Sequence, residues 1–389
     1  MNGHAPYKAV LTHGFVLDEQ GIKQSKSAGN VVDPLSIIEG GKDQKKQPPY
    51  GADVLRLWAA SVDYSVDVSI GAGILKQVFE SYRKLRGTLR FLLGNLHDFR
   101  PEEHATAWAD LPLMDRQMLA RVREESSFIR TEYAQFGFGA VYRAVNLFVS
   151  VDLSSQYFEL AKDRLYIRAL DAPQRRSCQT VLYVALRHLL AVMAPITPHM
   201  CEDAWQSLRR TGGGDGVASV FEAGVPDTPE EWHLDEEAAA TVHTALSIKD
   251  VALKALENAR EAKAVGAPLE ACVVLAVEDA VARARLLALN ASGNGVDELK
   301  YLFVTSQVEV VESVDAVACE HTAEADVPGI GHVVAGVRRA AGARCERCWH
   351  YSTDVGRETV HPKLCGRCLP VVKASGFSLP SQAAEAVAS

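Results

Sequence analysis

Apolar residues change their spacing along this chain, and the changes divide it. Up to residue 75 the pattern is short and broken. Ala9-Val10-Leu11 and Phe15-Val16-Leu17 read as strand-like runs, and Asp53 to Ala60 reads as a helix with Leu55, Trp58 and Ala59 on one face. From about Ile74 the period becomes helical. Leu75, Val78, Phe79, Tyr82, Leu85, Leu89, Leu92 and Leu93 recur at three- and four-residue steps, with Lys76, Arg83, Lys84, Arg86 and Arg90 between them. Pro101 and Pro112 punctuate the next loop. A second helix is predicted from about Met114 to Tyr133, broken by Gly137 and Gly139, and a third over Ala140 to Ala161. A fourth spans about Arg176 to Met193 and ends at Ala194-Pro195; Thr197-Pro198 caps a fifth, through Leu208.

The glycine-rich stretch from Arg210 to Gly216 reads as a flexible loop. After it, Leu234 to Lys263 forms a further amphipathic helix with Gly266 and Pro268 as stop signals. Strand-like runs then follow at Ala271–Val277 and Val308–Val311, around a short helix at Val281–Leu289, which makes a small α/β unit. No repeat of fixed period is present. The last dozen residues, rich in Ser and Ala, read as a loose tail. The fold class is therefore mainly α.

Composition adds limits. A chain of 389 residues, 48% hydrophobic and 23% charged, is an ordinary globular sequence with room for two to four domains. It has no apolar run of about 18 residues, so no membrane span is expected. Its first ten residues, MNGHAPYKAV, show neither an apolar core nor an Arg/Ser-rich presequence, so no targeting peptide is visible. The net charge of −8 argues against a general nucleic-acid coat. Local charge differs: between Arg338 and Lys373 eight basic residues face three acidic ones, a local +5 that leaves −13 for the rest. Four thiolates around a divalent zinc would reduce the patch to +3. An acidic body with a basic terminal module suits a protein that meets a polyanion at chosen places only.

Eight cysteines in a chain of this size do not make a disulfide scaffold. Cys178, Cys201, Cys272 and Cys319 stand singly among apolar neighbours and read as buried thiols. Cys345-Glu346-Arg347-Cys348 and Cys365-Gly366-Arg367-Cys368 are different: two CxxC pairs, sixteen residues apart. Each pair turns tightly enough to place two sulfurs about 3.5–4 Å apart, the edge of a zinc tetrahedron. Two such knuckles close a four-thiolate site without an open position, which makes one zinc per chain structural. The rivals are a redox dithiol or a disulfide pair, but a redox CxxC normally opens a helix after a βαβ-type strand. Arg347 and Arg367 are then expected to face outward, and with Trp349, His350 and Tyr351 to offer charge and stacking surface for unpaired RNA bases. His350 and His361 are expected as surface histidines rather than ligands. A segment this short has little core of its own, so the metal should supply much of its folding energy and leave the helical part independent.

Near the N-terminus, Gly14 through Asn30 reads GFVLDEQGIKQSKSAGN. Two lysines, Lys23 and Lys26, alternate with Ser25 and Ser27 in a glycine-bounded loop. Ammonium groups supply point charges for phosphate, and hydroxyls and backbone N–H groups add hydrogen bonds. Taken alone, the run is equally a solvated basic turn. Its neighbours decide. The loop resembles the KMSKS signature of class I aminoacyl-tRNA synthetases. The longer string His4-Ala5-Pro6-Tyr7, Leu11-Thr12-His13-Gly14-Phe15, KQSKSAGN and Gly51-Ala52-Asp53-Val54-Leu55-Arg56-Leu57-Trp58 resembles the isoleucyl-tRNA synthetase family of bacteria and organelles. Gln24 stands where that family usually has Met, and the spacer Gly41 to Pro49 lengthens the path from Ile38 to Gly51. The string from Val151 to Phe158, then Lys162-Asp163-Arg164-Leu165-Tyr166 and Arg175 to Thr180, resembles the family's anticodon-binding domain. Cys345 to Cys368 resembles the zinc finger that the family shares with formamidopyrimidine-type DNA glycosylases. A glycosylase would need an N-terminal proline nucleophile followed by Glu, which Met1-Asn2-Gly3-His4 does not offer.

The resemblance implies an organisation: residues 1–75 as the C-terminal part of a class I catalytic domain, 76–265 as a helical anticodon-binding domain, 266–335 as a small α/β module, 336–373 as a four-cysteine zinc finger, and 374–389 as a tail. It implies the C-terminal portion of an isoleucine–tRNA ligase that joins isoleucine to tRNA(Ile) with ATP and Mg2+. Lys23 and Lys26 would be catalytic, and with Ser25 and Ser27 they would bind ATP. Cys345, Cys348, Cys365 and Cys368 would hold zinc. Arg347, Trp349, Arg367, Arg175 and Arg176 would meet tRNA. The family's HIGH motif and editing domain belong upstream; neither His4 nor His13-Gly14 fits the former. Met1 thus reads as an internal methionine of a monomeric enzyme, cytoplasmic or, with a transit peptide, chloroplast or mitochondrial. The fragment alone is expected to be inactive. The competing reading is a stand-alone RNA-binding module derived from such an enzyme.

Overall fold

The computed structural model describes residues 6–214, 216–290 and 296–375. His4, Ala5, Asp215 and nearly all of the expected tail therefore lie outside the described residues. The chain divides into two compact units interleaved along the sequence. The first takes Met1–Glu103, Arg121–Ser154 and Leu182–Pro229, and the second takes His104–Ala120, Ser155–Val181 and Glu230–Ser389.

In the first unit the helix Ala72–Gly94 forms as its periodicity predicts. Leu75, Val78, Leu85, Leu89 and Leu92 are buried, while all five interspersed lysines and arginines face solvent. The helix Ala52–Ser61 forms too, but on a different face. Val54, Leu57, Trp58 and Ala60 are buried, whereas Leu55 is half-buried and Ala59 exposed. Asp53 explains the rotation. It turns inward, and its carboxylate accepts the Met200 N–H at 2.8 Å and pairs with the His199 ring at 2.8 Å. Those contacts cap the helix Pro198–Arg210 from outside it. Thr197, the expected cap, makes no capping bond and donates its hydroxyl to the Met193 carbonyl.

The predicted third helix is longer and less regular than its spacing suggested. A helix over Phe138–Leu147 widens into a π-helical stretch, Phe148–Tyr157, and narrows again over Phe158–Ile167. The Ser150 and Ser154 hydroxyls bond to the carbonyls of Asn146 and Val149, local competition of the kind that loosens a turn. Only Gly137 interrupts the chain; Gly139 lies inside the first turn. Ala9–Leu11 forms no strand, and Val16–Leu17 pairs in parallel with Val68–Ser69.

The second unit holds a four-stranded sheet in the order Gln307–Val311, Ala271–Val277, Gly331–Arg339, His321–Val327. The first two strands are parallel and the other pairings antiparallel. All seven residues of Ala271–Val277 are buried, as an unalternating apolar run in a central strand requires. The two strands that close the sheet went unread in the sequence. His321–Val327 is mostly exposed, and Gly336 interrupts the other. Gly336 has a reason: a Cβ there would lie 2.4 Å from Val317 Cγ1 and 2.9 Å from Cys319 Sγ. The helix Glu236–Glu261 packs against this sheet. Asp235 caps it, bonding to the Ala238 N–H at 2.8 Å. It ends before the predicted glycine and proline stops, where Lys263 turns left-handed at φ 59°. No helix among the described residues is long and apolar enough to cross a membrane.

Candidate functional site

The cysteine centre lies in the second unit. A two-stranded ribbon, Ala343–Arg344 with Tyr351–Ser352, carries the first knuckle, and Gly342 turns into it at φ 90° with the Ser352 carbonyl directly beneath. Within that knuckle the Trp349 N–H donates to the Cys345 carbonyl at 2.9 Å, and the Cys345 N–H donates to the His350 carbonyl at 2.9 Å. The second knuckle opens the short helix Leu369–Ala374, a place a redox dithiol also takes, but the sulfurs of both pairs converge. All four sulfurs lie within 4.8 Å of one another; those of Cys348 and Cys365 are 3.7 Å apart. A tetrahedron with zinc–sulfur bonds of about 2.3 Å has edges near this length. All four residues are buried. Donors point at the sulfurs as they do at thiolates: the Cys365 N–H reaches Cys345 Sγ at 3.4 Å, and Arg347 reaches Cys368 Sγ at 3.5 Å. Donor set, spacing and surroundings fit a structural zinc. Of the single cysteines, Cys178, Cys201 and Cys272 are buried as expected, and Cys319 is half-buried.

The arginines inside the knuckles do not face outward. Arg367 forks onto Asp163, Nη1 to Oδ1 at 2.7 Å and Nη2 to Oδ2 at 2.9 Å, and also donates to the Tyr301 hydroxyl at 2.9 Å. Arg347 donates to the Ile167 carbonyl at 2.6 Å. His350 and His361, expected at the surface, are buried. His350 Nε2 lies 3.2 Å from Asp163 Oδ2, and burial pulls its basicity down against the pull of that carboxylate. Burial alone would raise Asp163, but the His350 hydrogen bond and the Arg367 charge hold its carboxyl well below the usual range. Arg175 is buried as well. Its guanidinium bonds to the carbonyls of Leu165 and Leu170 and to Gln179, which ties off the end of the Phe158–Ile167 helix. Arg176 is half-buried against the same Gln179, at 2.7 Å. For the two knuckle arginines the cause is distance along the chain, since Asp163 is 204 residues from Arg367 and Ile167 is 180 from Arg347; Arg175 and Arg176 are taken up by groups within ten residues of them. Of the aromatic candidates Trp349 stays in solvent, 62% exposed, in a left-handed conformation at φ 64°.

The lysine loop lies in the first unit. Gly14 is needed where it stands, since a Cβ would meet the Val66 carbonyl oxygen at 2.2 Å. Asp18 folds the turn by accepting the Gln20 and Ile22 N–H groups at 3.0 and 2.9 Å, and Leu17 bridges back to Lys23. Asn30 ties the two ends, donating to Asp18 at 2.8 Å and accepting the Ser25 N–H at 2.9 Å. The Asn30 and Ile22 bonds lower the Asp18 carboxyl below its ordinary value. Gln24 adds a second tie, to the Leu17 carbonyl at 3.3 Å and the Val32 N–H at 3.0 Å. Above these ties the tip is open. Ser25 and Ser27 hydroxyls are 3.2 Å apart, Lys23 Nζ rests 3.8 Å from the centre of the Phe15 ring, and Lys26 is exposed. The unusual spacer closes on itself: Gly41 N–H meets the Gln47 carbonyl at 2.9 Å, and Gly51 N–H meets the Ile38 carbonyl at 3.2 Å.

The sequence patterns of three families match this chain. "tRNA synthetases class I (I, L, M and V)" covers residues 1–71, "Anticodon-binding domain of tRNA ligase" covers 115–275, and "Zinc finger found in FPG and IleRS" covers 342–371. Proteins named isoleucine–tRNA ligase from Thermosynechococcus vestitus and Nostoc are each 49% identical to it, over 95% and 96% of this chain. A chloroplastic/mitochondrial isoleucine–tRNA ligase from Arabidopsis thaliana is 47% identical over 96%. The chain spans 38%, 38% and 35% of the length of these relatives. Among solved structures, the ternary complex of Agrobacterium radiobacter LeuRS with tRNA and LeuAMS covers 58% of this chain at 21% identity and a TM-score of 0.41, a likeness too weak to bear on the fold.

Proposed function

Because this chain belongs to the class I isoleucine–tRNA ligase family, we propose that it supplies the phosphate loop and the tRNA-holding parts of an enzyme that activates isoleucine with ATP and transfers it to tRNA(Ile). The observation that carries this reading is the pairing, in one chain, of an open lysine loop with a closed four-thiol centre. The loop is tied at its base by Asn30 and Gln24 and free at its tip, so the tip can close over a triphosphate and reopen while its foundation stays still. Lys26 and Lys23 bring positive charge to the phosphates, and the Ser25 and Ser27 hydroxyls donate beside them. The Lys26 ammonium offsets the charge that builds as pyrophosphate leaves. Mg2+ enters with ATP as part of the substrate.

Cys345, Cys348, Cys365 and Cys368 would hold one zinc, which when bound locks the two knuckles together and leaves no position for a reactive water. With Arg347, Arg367 and Arg175 turned inward, Trp349 and the exposed Arg344 and Arg357 remain to meet tRNA, the first by stacking and the others at phosphates. The enzyme acts as a monomer, in the cytoplasm or in an organelle like the Arabidopsis relative. The test uses the complete ligase that contains this segment. Lys26→Ala should lower isoleucine-dependent ATP–pyrophosphate exchange by about 2.7–4 kcal/mol of barrier and leave tRNA affinity unchanged. Exchange within twofold of wild type would sink the assignment. The 389-residue chain alone should form no isoleucyl-adenylate.

A further inference from the structure

Each cysteine knuckle sends one donor to the same carboxylate. His350, two residues past Cys348, reaches Asp163 Oδ2 at 3.2 Å, and Arg367, between Cys365 and Cys368, forks onto both oxygens at 2.7 and 2.9 Å. One turn further along the same helix, the Ile167 carbonyl takes Arg347 from inside the first knuckle at 2.6 Å. The last turn of Phe158–Ile167 therefore grips both halves of the centre. That helix is itself fixed. Arg164, next to Asp163, is fully buried and binds both oxygens of Asp115 at 2.8 Å, with the Tyr157 hydroxyl on the same carboxylate at 2.8 Å.

Trp349 sits between two anchored neighbours. Cys348 belongs to the thiol cluster and His350 to Asp163, so the left-handed backbone at φ 64° that exposes the indole has no freedom to relax. An L-residue is disfavoured in this region, and an exposed Trp would drift out of it if either neighbour were released.

We propose that Asp163 is a positioning residue for tRNA: it holds both knuckles in one pose and so presents Trp349 at a fixed place to an unpaired base. This rests on the reading of the cysteine module as a tRNA-contacting surface. Electrostatics alone makes the opposite forecast for its removal. Taking away a carboxylate, and freeing Arg367, in a region of local +5 would strengthen attraction to a polyanion. Positioning predicts weakening, so the sign of the effect separates the two.

The experiment measures binding of an unmodified tRNA(Ile) transcript to the full zinc-loaded chain at one fixed salt concentration, with zinc counted by metal analysis. Asp163→Asn should keep one zinc per chain and bind about tenfold more weakly, in the range of one lost base-stacking contact. Trp349→Ala should weaken binding similarly, and the double variant should be no weaker than the worse single one, because both remove one interaction. Unchanged or tighter binding by Asp163→Asn with zinc in place would overturn the proposal, and so would losses that multiply in the double variant. Arg367→Gln cuts the same contact from the other side and should repeat the result if Asp163→Asn fails to fold. Collapse of both variants would make the contact a folding element only, and would equally end the idea. Failure of the wild-type chain to prefer the transcript over an unrelated RNA would instead sink the underlying tRNA reading, and would show before any variant is made.

Discussion

Around the cysteine centre two arginines are turned inward onto a helix, whereas the lysine loop keeps both of its ammonium groups at the surface. The centre is buried at every ligand and braced by Asp163, Ile167 and Tyr301. The loop is tied at its base by Asn30 and Gln24, while the bonds at its tip run within the loop itself, as from the Ala28 N–H to the Ser25 hydroxyl. The difference suits the tasks proposed for the two sites. A surface proposed to present one residue in one pose benefits from several hydrogen bonds that hold it, each worth about 1 kcal/mol net. A loop that must close on a ligand and release it needs charges not already committed to protein partners.

The largest expected effect breaks the braced side. Cys365→Ser should release zinc and with it a binding energy on the order of 10 kcal/mol. Hydrogen exchange should then accelerate through both knuckles and also in the last turn of Phe158–Ile167, because that turn holds them. The segment was expected from sequence to melt alone; protection that survives unchanged from Asp163 to Ile167 would restore that simpler view. Next in size is the foundation beneath. Asp115→Ala leaves Arg164 fully buried without its partner, which should cost about 3–5 kcal/mol in urea denaturation. A loss below 1 kcal/mol would show that the helix does not depend on this pair.

On the open side the effects are smaller. Gln24→Met removes two ties, to the Leu17 carbonyl and the Val32 N–H. Exchange at Val32 should quicken by about fivefold, in line with the ~1 kcal/mol net worth of a hydrogen bond, while the thermal midpoint stays put. A fall in that midpoint would mean the loop base belongs to the core. Smallest is a titration. The Asn30 bond lowers the Asp18 carboxyl from its ordinary 3.8, so the contribution of this tie is present above that value and fades as pH falls through the lower folded one. Carboxyl NMR should show Asp18 titrating below 3.8, and Asn30→Ala should move it back up.

Features built from neighbouring residues were legible in the sequence. The cysteine quartet needs only the CxxC spacing, the lysine loop only its seventeen residues, and the Ala72–Gly94 helix only its period. What stayed hidden was which side chains are already committed. Arg347, Arg367 and Arg175 look in sequence like cations free for RNA, and their partners, Asp163 and the carbonyls of Ile167 and Leu165, are supplied by the fold. The face of Ala52–Ser61 was misread for the same reason, because Asp53 caps a helix some 146 residues away. The closing strands escaped because one is a solvent-facing edge and the other carries Gly336 for the sake of Val317 and Cys319.

The spacer from Gly41 to Pro49 meets itself at the neck: Gly51 joins Ile38, and Gly41 joins Gln47. A segment whose two ends are pinned together is an appendix to the backbone. Its length is nearly neutral to the fold, since doubling a flexible loop costs only about 0.6 kcal/mol. Evolution could lengthen it here with little penalty, and a fluorophore or affinity label grafted between Lys42 and Lys46 should ride on the protein without disturbing it.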